Sequence, residues 1–187
     1  MAVPRLRQAR YEDILALPDN LVGELVGGDL FASPRPAPRH SAALSALGEE
    51  LGPPFKRGRG GPGGWLLLDE PEIHLSGDVL VPDIGGWRRE RMPEMPVDLP
   101  YFILSPDWVA EVLSPSTAAL DRGRKLGVYA REGVSHVWFV DPIVQTLEVL
   151  RLDGSSYRVA MVATGDARVR AEPFDAIELD LAILWQR

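Results

Sequence analysis

WVAEVLSPSTAALDRGRKLGVYAREGVSHVWFVD, residues 108–141, decides the fold. Its two ends, WVAEVL (108–113) and HVWFVD (136–141), are short and almost wholly apolar, the pattern of strands buried on both faces. Between them, SPSTAALDRGRKLGVYAREG (114–133) opens on capping hydroxyls, continues as a helix and closes at Gly133. A strand, a helical crossover and a second strand predict a right-handed unit with parallel strands. Outward from this unit, LVGELVGGDLFAS (21–33) reads as a β-hairpin turning at 27–29. On the other side, QTLEVLRL and SYRVAMVA pair across Asp153-Gly154. The hairpins are antiparallel, so the sum is an α/β (α+β) mixed β-sheet flanked by helices. It has β-hairpins before and after a β-α-β core, in one domain over 1–187.

The remaining segments fill in around that core. YEDILAL (11–17) predicts a short helix stopped by Pro18. APRHSAALSALGEEL (37–51) predicts an amphipathic helix with Leu44, Leu47 and Leu51 on one face. His40 lies on that face too, and Gly52-Pro53-Pro54 is expected to end the helix. FKRGRGGPGG reads as a mobile basic loop, WLLLDEPEIHL as a strand or bent strand pair, and VLVPDIGGW (79–87) as another strand. RRERMPEMPVDLPYFILSP (88–106) is a long proline-rich loop, a length that marks a functional segment or a dimer contact. IELDLAILW closes the chain.

Composition excludes several chemistries. Cysteine is absent, which removes disulfides, thiol catalysis and cysteine zinc sites. The only histidines are His40, His74 and His136, too few for a histidine-rich zinc site. No apolar run reaches the ~20 residues that cross a bilayer, and the start, MAVPRLRQARYEDIL, has no signal-peptide core. A cytoplasmic protein without a membrane partner is the expectation. Twenty-seven acids against 20 bases give a net charge of −7, which argues against a general nucleic-acid coat but leaves room for a local patch. Only Lys56 and Lys125 are lysines, against 18 arginines.

Glu111 stands inside WVAEVL, sharing a strand face with Val109 and Leu113. An unpaired carboxylate there costs several kcal/mol, so it needs a cation, a basic partner or a wet cleft. Asp83 poses the same problem at the end of VLVPDI. Pro82 cannot donate to a ladder, so Asp83 is expected at a strand end or sheet edge. Two carboxylates about 5 Å apart repel by roughly 3 kcal/mol at an effective dielectric near 20. A divalent cation such as Mg²⁺ or Mn²⁺ between them turns that repulsion into a site. The basic runs Lys56-Arg57-Gly58-Arg59 and Arg88-Arg89-Glu90-Arg91 offer contacts for phosphates. Ser114 and Ser116 suit helix capping better than nucleophilic catalysis, since no G-x-S-x-G accompanies them.

The order Pro-Asp, then a glutamate in a buried strand 28 residues on, then a helix carrying a lysine, resembles the PD-(D/E)XK restriction-endonuclease-like superfamily. More narrowly, the chain resembles the Uma-two family of bacterial endonucleases. The matching segments are VGELVGGDL (22–30), PAPRHSAAL (36–44), VPDIGGW (81–87), residues 109–142 and EPFDAIELDLAILW (172–185). EVLSPST followed by Asp121, Lys125, Tyr129 and Gly133 is the specific part. The resemblance implies that Asp83, Glu111 and the Val112 carbonyl hold the metal. The superfamily's usual lysine position is Leu113 here, so the resemblance places the lysine on the following helix, at Lys125. It also implies roles for Glu24, in the metal site or on Lys125, and for His40, against substrate or in the core. The implied activity is DNA phosphodiester hydrolysis with Mg²⁺ or Mn²⁺, catalysed by Asp83, Glu111, Lys125 and Glu24. His40, Lys56, Arg57 and Arg59 are the substrate-binding candidates. Cleaving two antiparallel strands calls for two centres, hence a homodimer or dimer of dimers on DNA. The rival readings are an inactive nucleic-acid-binding module on the same fold and a homo-oligomeric interaction module.

Overall fold

In the computed structural model, which describes residues 8–186, the chain alternates between the two main sheets of three, the third being a two-stranded pair near the C-terminus. Residues 1–7 of the segment read above for a leader lie outside the described residues. The elements run α1 (Tyr11–Leu15), β1 (Leu21–Val26), β2 (Asp29–Pro34), α2 (Pro38–Leu51), β3 (Trp65–Asp69), β4 (Ile73–Leu75), β5 (Asp78–Leu80), β6 (Ile84–Arg88) and β7 (Trp108–Val112). They continue as α3 (Ala118–Leu120), α4 (Leu126–Arg131), β8 (His136–Asp141), β9 (Thr146–Asp153), β10 (Ser156–Thr164), β11 (Arg168–Val169) and β12 (Leu179–Asp180), then a 3₁₀ segment at Leu181–Trp185. The larger sheet has the order β10-β9-β8-β7-β6-β3, and the smaller β2-β1-β5-β4. In the larger sheet β7 and β8 pair in parallel and the other neighbours antiparallel. The strand–crossover–strand unit is therefore the centre of a mixed α+β sheet.

Both faces of β7 are buried, which explains its unbroken apolar run. Trp108, Ala110 and Val112 enter one core, with α2, the 3₁₀ segment and Phe174. Phe174 packs against Phe55, Trp65, Trp108 and Trp138, ring centroids 4.6–5.6 Å apart. Val109 enters the second core, with Leu113, Val128, Tyr129 and residues of the smaller sheet such as Val26 and Leu80. Glu111 points the same way as Val109 by the period-two rule, so it faces the seam between the sheets. Gly86 lies under the Trp108 indole, where a Cβ would come within 2.9 Å of the ring, so only glycine lets β6 and β7 close there.

Four local expectations change. The single strand read over 79–87 is two, because Val81-Pro82-Asp83 breaks it. β5 belongs to the smaller sheet and β6 to the larger. Asp83 stands at a strand end, as expected, but that strand, β6, is interior and not at a sheet edge. Gly52-Pro53-Pro54 does not end α2: the chain runs on as a π-helical turn, Gly52–Lys56, with Pro54 and Phe55 buried. The loop read from Phe55 onward therefore begins after Lys56, and it doubles back through Arg59 N–H to Pro53 O and Gly63 N–H to Pro54 O. Within the crossover, Asp121–Lys125 is likewise a π-helical turn joining α3 to α4. Such turns recur at functional sites, and this one buries both its terminal side chains.

Candidate active site

β1 brings Glu24, β7 brings Glu111, and the π-helical turn brings Asp121 and Lys125 to one point between the sheets. Lys125 is 2% exposed, and its Nζ lies 2.9 Å from Glu111 Oε1, 3.0 Å from Glu24 Oε1 and 3.2 Å from Asp121 Oδ1. Glu24 Oε1 also accepts the Val81 N–H at 2.8 Å, which ties β1 to the break before β6. Tyr129, one turn beyond Lys125 on α4, donates its hydroxyl to Glu111 Oε1 at 2.6 Å. The nearest contacts of Lys125 and Tyr129 on Glu111 thus fall on one oxygen.

Asp83 approaches from the opposite side. β6 and β7 pair with Ile84 opposite Ala110. One further step of that register sets Asp83 opposite Glu111, on the same face. Asp83 Oδ2 accepts the Val112 N–H at 2.6 Å, and Oδ1 lies 3.2 Å from His40 Nε2. His40 comes from the first turn of α2 and is buried, with Nδ1 lacking a hydrogen-bond partner. Glu24, His40, Asp83, Glu111, Asp121 and Lys125 line one cavity of about 310 Å³.

The electrostatics are lopsided. Burial pushes the Glu111 carboxyl well above the usual range; Lys125 pulls it back, while Asp121, Asp83 and Glu24 push it further up. Burial works against the Lys125 charge, but Glu111, Glu24 and Asp121 outweigh it and hold the amine protonated. Burial and the neighbouring Glu111 raise the Tyr129 hydroxyl, which stays a donor. Burial opposes the His40 charge, yet Asp83 prevails and raises its pKa. Four acids therefore surround one lysine and one histidine, a surplus of negative charge inside a cavity that opens to water.

Residues 11–182 match the family model Uma2, described as "putative restriction endonuclease". The chain belongs to that family. The Uma2 assignment agrees with the fold: a "putative nuclease belonging to DUF820" from Anabaena variabilis ATCC 29413 superposes with a TM-score of 0.76. It is 24% identical, over 95% of this chain and 97% of that one. Among curated proteins none matches.

The structure brings Glu24, His40, Asp83, Glu111 and Lys125 to this cavity. It does not bring the basic loop there. Lys56 and Arg57 line a neighbouring groove, and Arg59 lines neither. Lys56 donates to the Leu67 carbonyl at 2.8 Å, which ties the π-helical turn to β3. Sequence reasoning missed Glu70. Its N–H bonds the Asp83 carbonyl, and it lines the cavity from a left-handed backbone conformation (φ +45°), which is strained for a residue with a side chain. Only its place before Pro71 hints at irregular backbone. Among the described residues, no three His, Asp or Glu side chains form a ready metal cage, and no helix is long and apolar enough to cross a membrane.

Proposed function

We propose that the chain is a Mg²⁺- or Mn²⁺-dependent endonuclease that hydrolyses DNA phosphodiester bonds. The observation that carries this reading is the charge imbalance: Glu24, Asp83, Glu111 and Asp121 share one water-accessible cavity with Lys125 and His40. Two facing carboxylates and the Val112 carbonyl are an all-oxygen donor set of the kind hard divalent cations prefer, with waters completing it. Asp83 and Glu111 supply carboxylate oxygens to the cavity, and they, with the Val112 carbonyl that the family resemblance adds, would hold the ion. Bound there, the ion supplies Lewis-acid polarisation of the phosphate and a lowered pKa for water. Lys125 contributes a fixed positive charge at the developing phosphoryl charge. Glu24 and Asp121 keep that amine in place, and His40 orients Asp83.

Incubating supercoiled plasmid with the protein is expected to give nicked circles with Mn²⁺ and none with EDTA. At 100 times its Kd, Mn²⁺ should stabilise the fold by about 2.7 kcal/mol. That is a rise of roughly 5–10 °C in melting temperature for a chain of this size. A thermal shift without nicking would favour an inactive binding module, and the absence of both responses would refute the metal reading.

Duplex cleavage also favours a two-fold assembly. The loop 88–106 presents Met95, Val97, Leu99 and Ile103 to solvent, Val97 at 89% exposure. Light scattering at micromolar concentration is expected to report a homodimer or a dimer of dimers, and a monomer would count against it.

A further inference from the structure

Seven of the fifteen described arginines lie against carboxylates, Arg91 on Asp107 and Arg122 on Glu148 among them. The guanidiniums of Arg57, Arg59, Arg88 and Arg89 have no carboxylate partner among the described residues, and all four residues are exposed. Thirty residues separate the two pairs in sequence, but the fold brings them together. β3 pairs with β6 so that Trp65 faces Arg88, and the Arg88 guanidinium lies 4.5 Å over the Trp65 ring. Arg89 N–H bonds the Gly64 carbonyl, and Gly63 rests against Gly58, between Arg57 and Arg59. Two acids stand near these four like charges: Glu90, and Asp107, whose carboxylate accepts the Arg88 backbone N–H and pairs with Arg91. In a chain of net charge −7, this cluster is a local positive patch of the kind that attracts anions.

Its position says which anion. Arg57 follows the π-helical turn that prolongs α2, and it lines a groove of about 590 Å³ along that helix. The groove shares Pro36 and Glu70 with the walls of the catalytic cavity. His40 and Arg57 are separated along the helix by roughly 25 Å at 1.5 Å per residue. At 3.4 Å per step, that spans about seven base pairs of one strand. Glu49, Asp69 and Glu70 line the groove between, so its floor repels phosphate and the positive charge sits at its far end.

We propose that Arg57, Arg59, Arg88 and Arg89 form a platform that holds the backbone phosphates of a DNA duplex about seven base pairs from the phosphate in the Glu111–Lys125 cavity. The proposal rests on the nuclease reading for its partner. The arginines read shape and charge, so they position the duplex without selecting its sequence.

The test is binding of a fluorescent 20-base-pair duplex in EDTA, between 50 and 200 mM salt, which needs no cleavage. Each lost phosphate contact should reduce the log–log salt slope by about 0.9. The variant with all four arginines changed to glutamine is expected to lose about 3–4 units of slope and about 100-fold in affinity at the lowest salt. The variant with all four changed to lysine should keep most of the slope, which separates charge from folding damage. Both variants should melt within a few degrees of the parent. An unchanged slope in the glutamine variant, or no binding by the parent at 50 mM salt, overturns the platform. Tighter binding of an RNA duplex than of DNA overturns the choice of partner. Plasmid nicking by the parent with Mn²⁺ is scored separately, so failure of the nuclease reading shows there and not in the slope.

Discussion

Lys125→Met is expected to lower the melting temperature by roughly 6–20 °C. Removing one partner of a buried ion pair typically costs ~3–5 kcal/mol, because the other charge is left stranded. Each kcal/mol is worth about 2–4 °C in a chain of this length. Here the amine serves Glu24, Glu111 and Asp121 at 2.9–3.2 Å, so its loss strands three acids and not one. Methionine fills nearly the same volume, so packing does not confuse the result. Adding Glu111→Gln to the Lys125→Met background should recover part of the loss, since it takes one stranded charge away. That recovery, corrected for the effect of Glu111→Gln alone, is the coupling energy of a double-mutant cycle. Thermal melts of the four proteins measure it. A Lys125→Met protein that melts with the parent would mean that the buried cluster is not held by this amine.

The parts of this arrangement differed in how openly the sequence displayed them. The β7–crossover–β8 unit was legible because burial on both faces forces apolar runs, and those runs are too short for helices. The flanking hairpins were legible through Gly27-Gly28 and Asp153-Gly154, where the turn chemistry is local. The split at Val81-Pro82-Asp83 was less so. β5 and β6 are each short and apolar, and only the tertiary choice of sheet separates them. The π-helical turns were not legible: Gly52-Pro53-Pro54 reads as a helix stop, and nothing in Asp121–Lys125 distinguishes a one-residue widening from ordinary helix. At the site, Glu111 was conspicuous because an acid among buried valines needs an explanation. The meeting of Lys125 with Glu24 depends on β1 folding over the crossover, which no spacing encodes and which entered through family resemblance. Glu70 was invisible, since its left-handed backbone is imposed by its surroundings. The arginine platform needed the β3–β6 register before runs 30 residues apart could be seen as one surface.

Glu111→Gln is the variant that separates chemistry from architecture, with an expected loss of nicking of 100-fold or more. Outer-shell partners of metal ligands alone are worth about 10–100-fold, and this change removes one of the two carboxylates in the proposed donor set. The stabilisation by Mn²⁺ should vanish with it. The metal-free protein should change by less than about 1 kcal/mol, for three reasons. Glutamine is isosteric, and its amide oxygen can still accept from Tyr129, which now donates to Glu111 Oε1. Lys125 keeps Glu24 and Asp121. Burial, Asp121, Asp83 and Glu24 already press Glu111 toward its neutral form, so removing the charge relieves repulsion as well as losing an attraction. The architectural alternative predicts the reverse pattern. If Glu111 served only as the partner of Lys125, the change would cost several kcal/mol by analogy with other broken buried pairs, and the melting response to Mn²⁺ would survive. Melts of parent and variant with EDTA and with Mn²⁺, alongside plasmid nicking, read both quantities. Stability retained with metal response and nicking lost places Glu111 in the chemistry; stability lost with metal response intact makes it a structural residue.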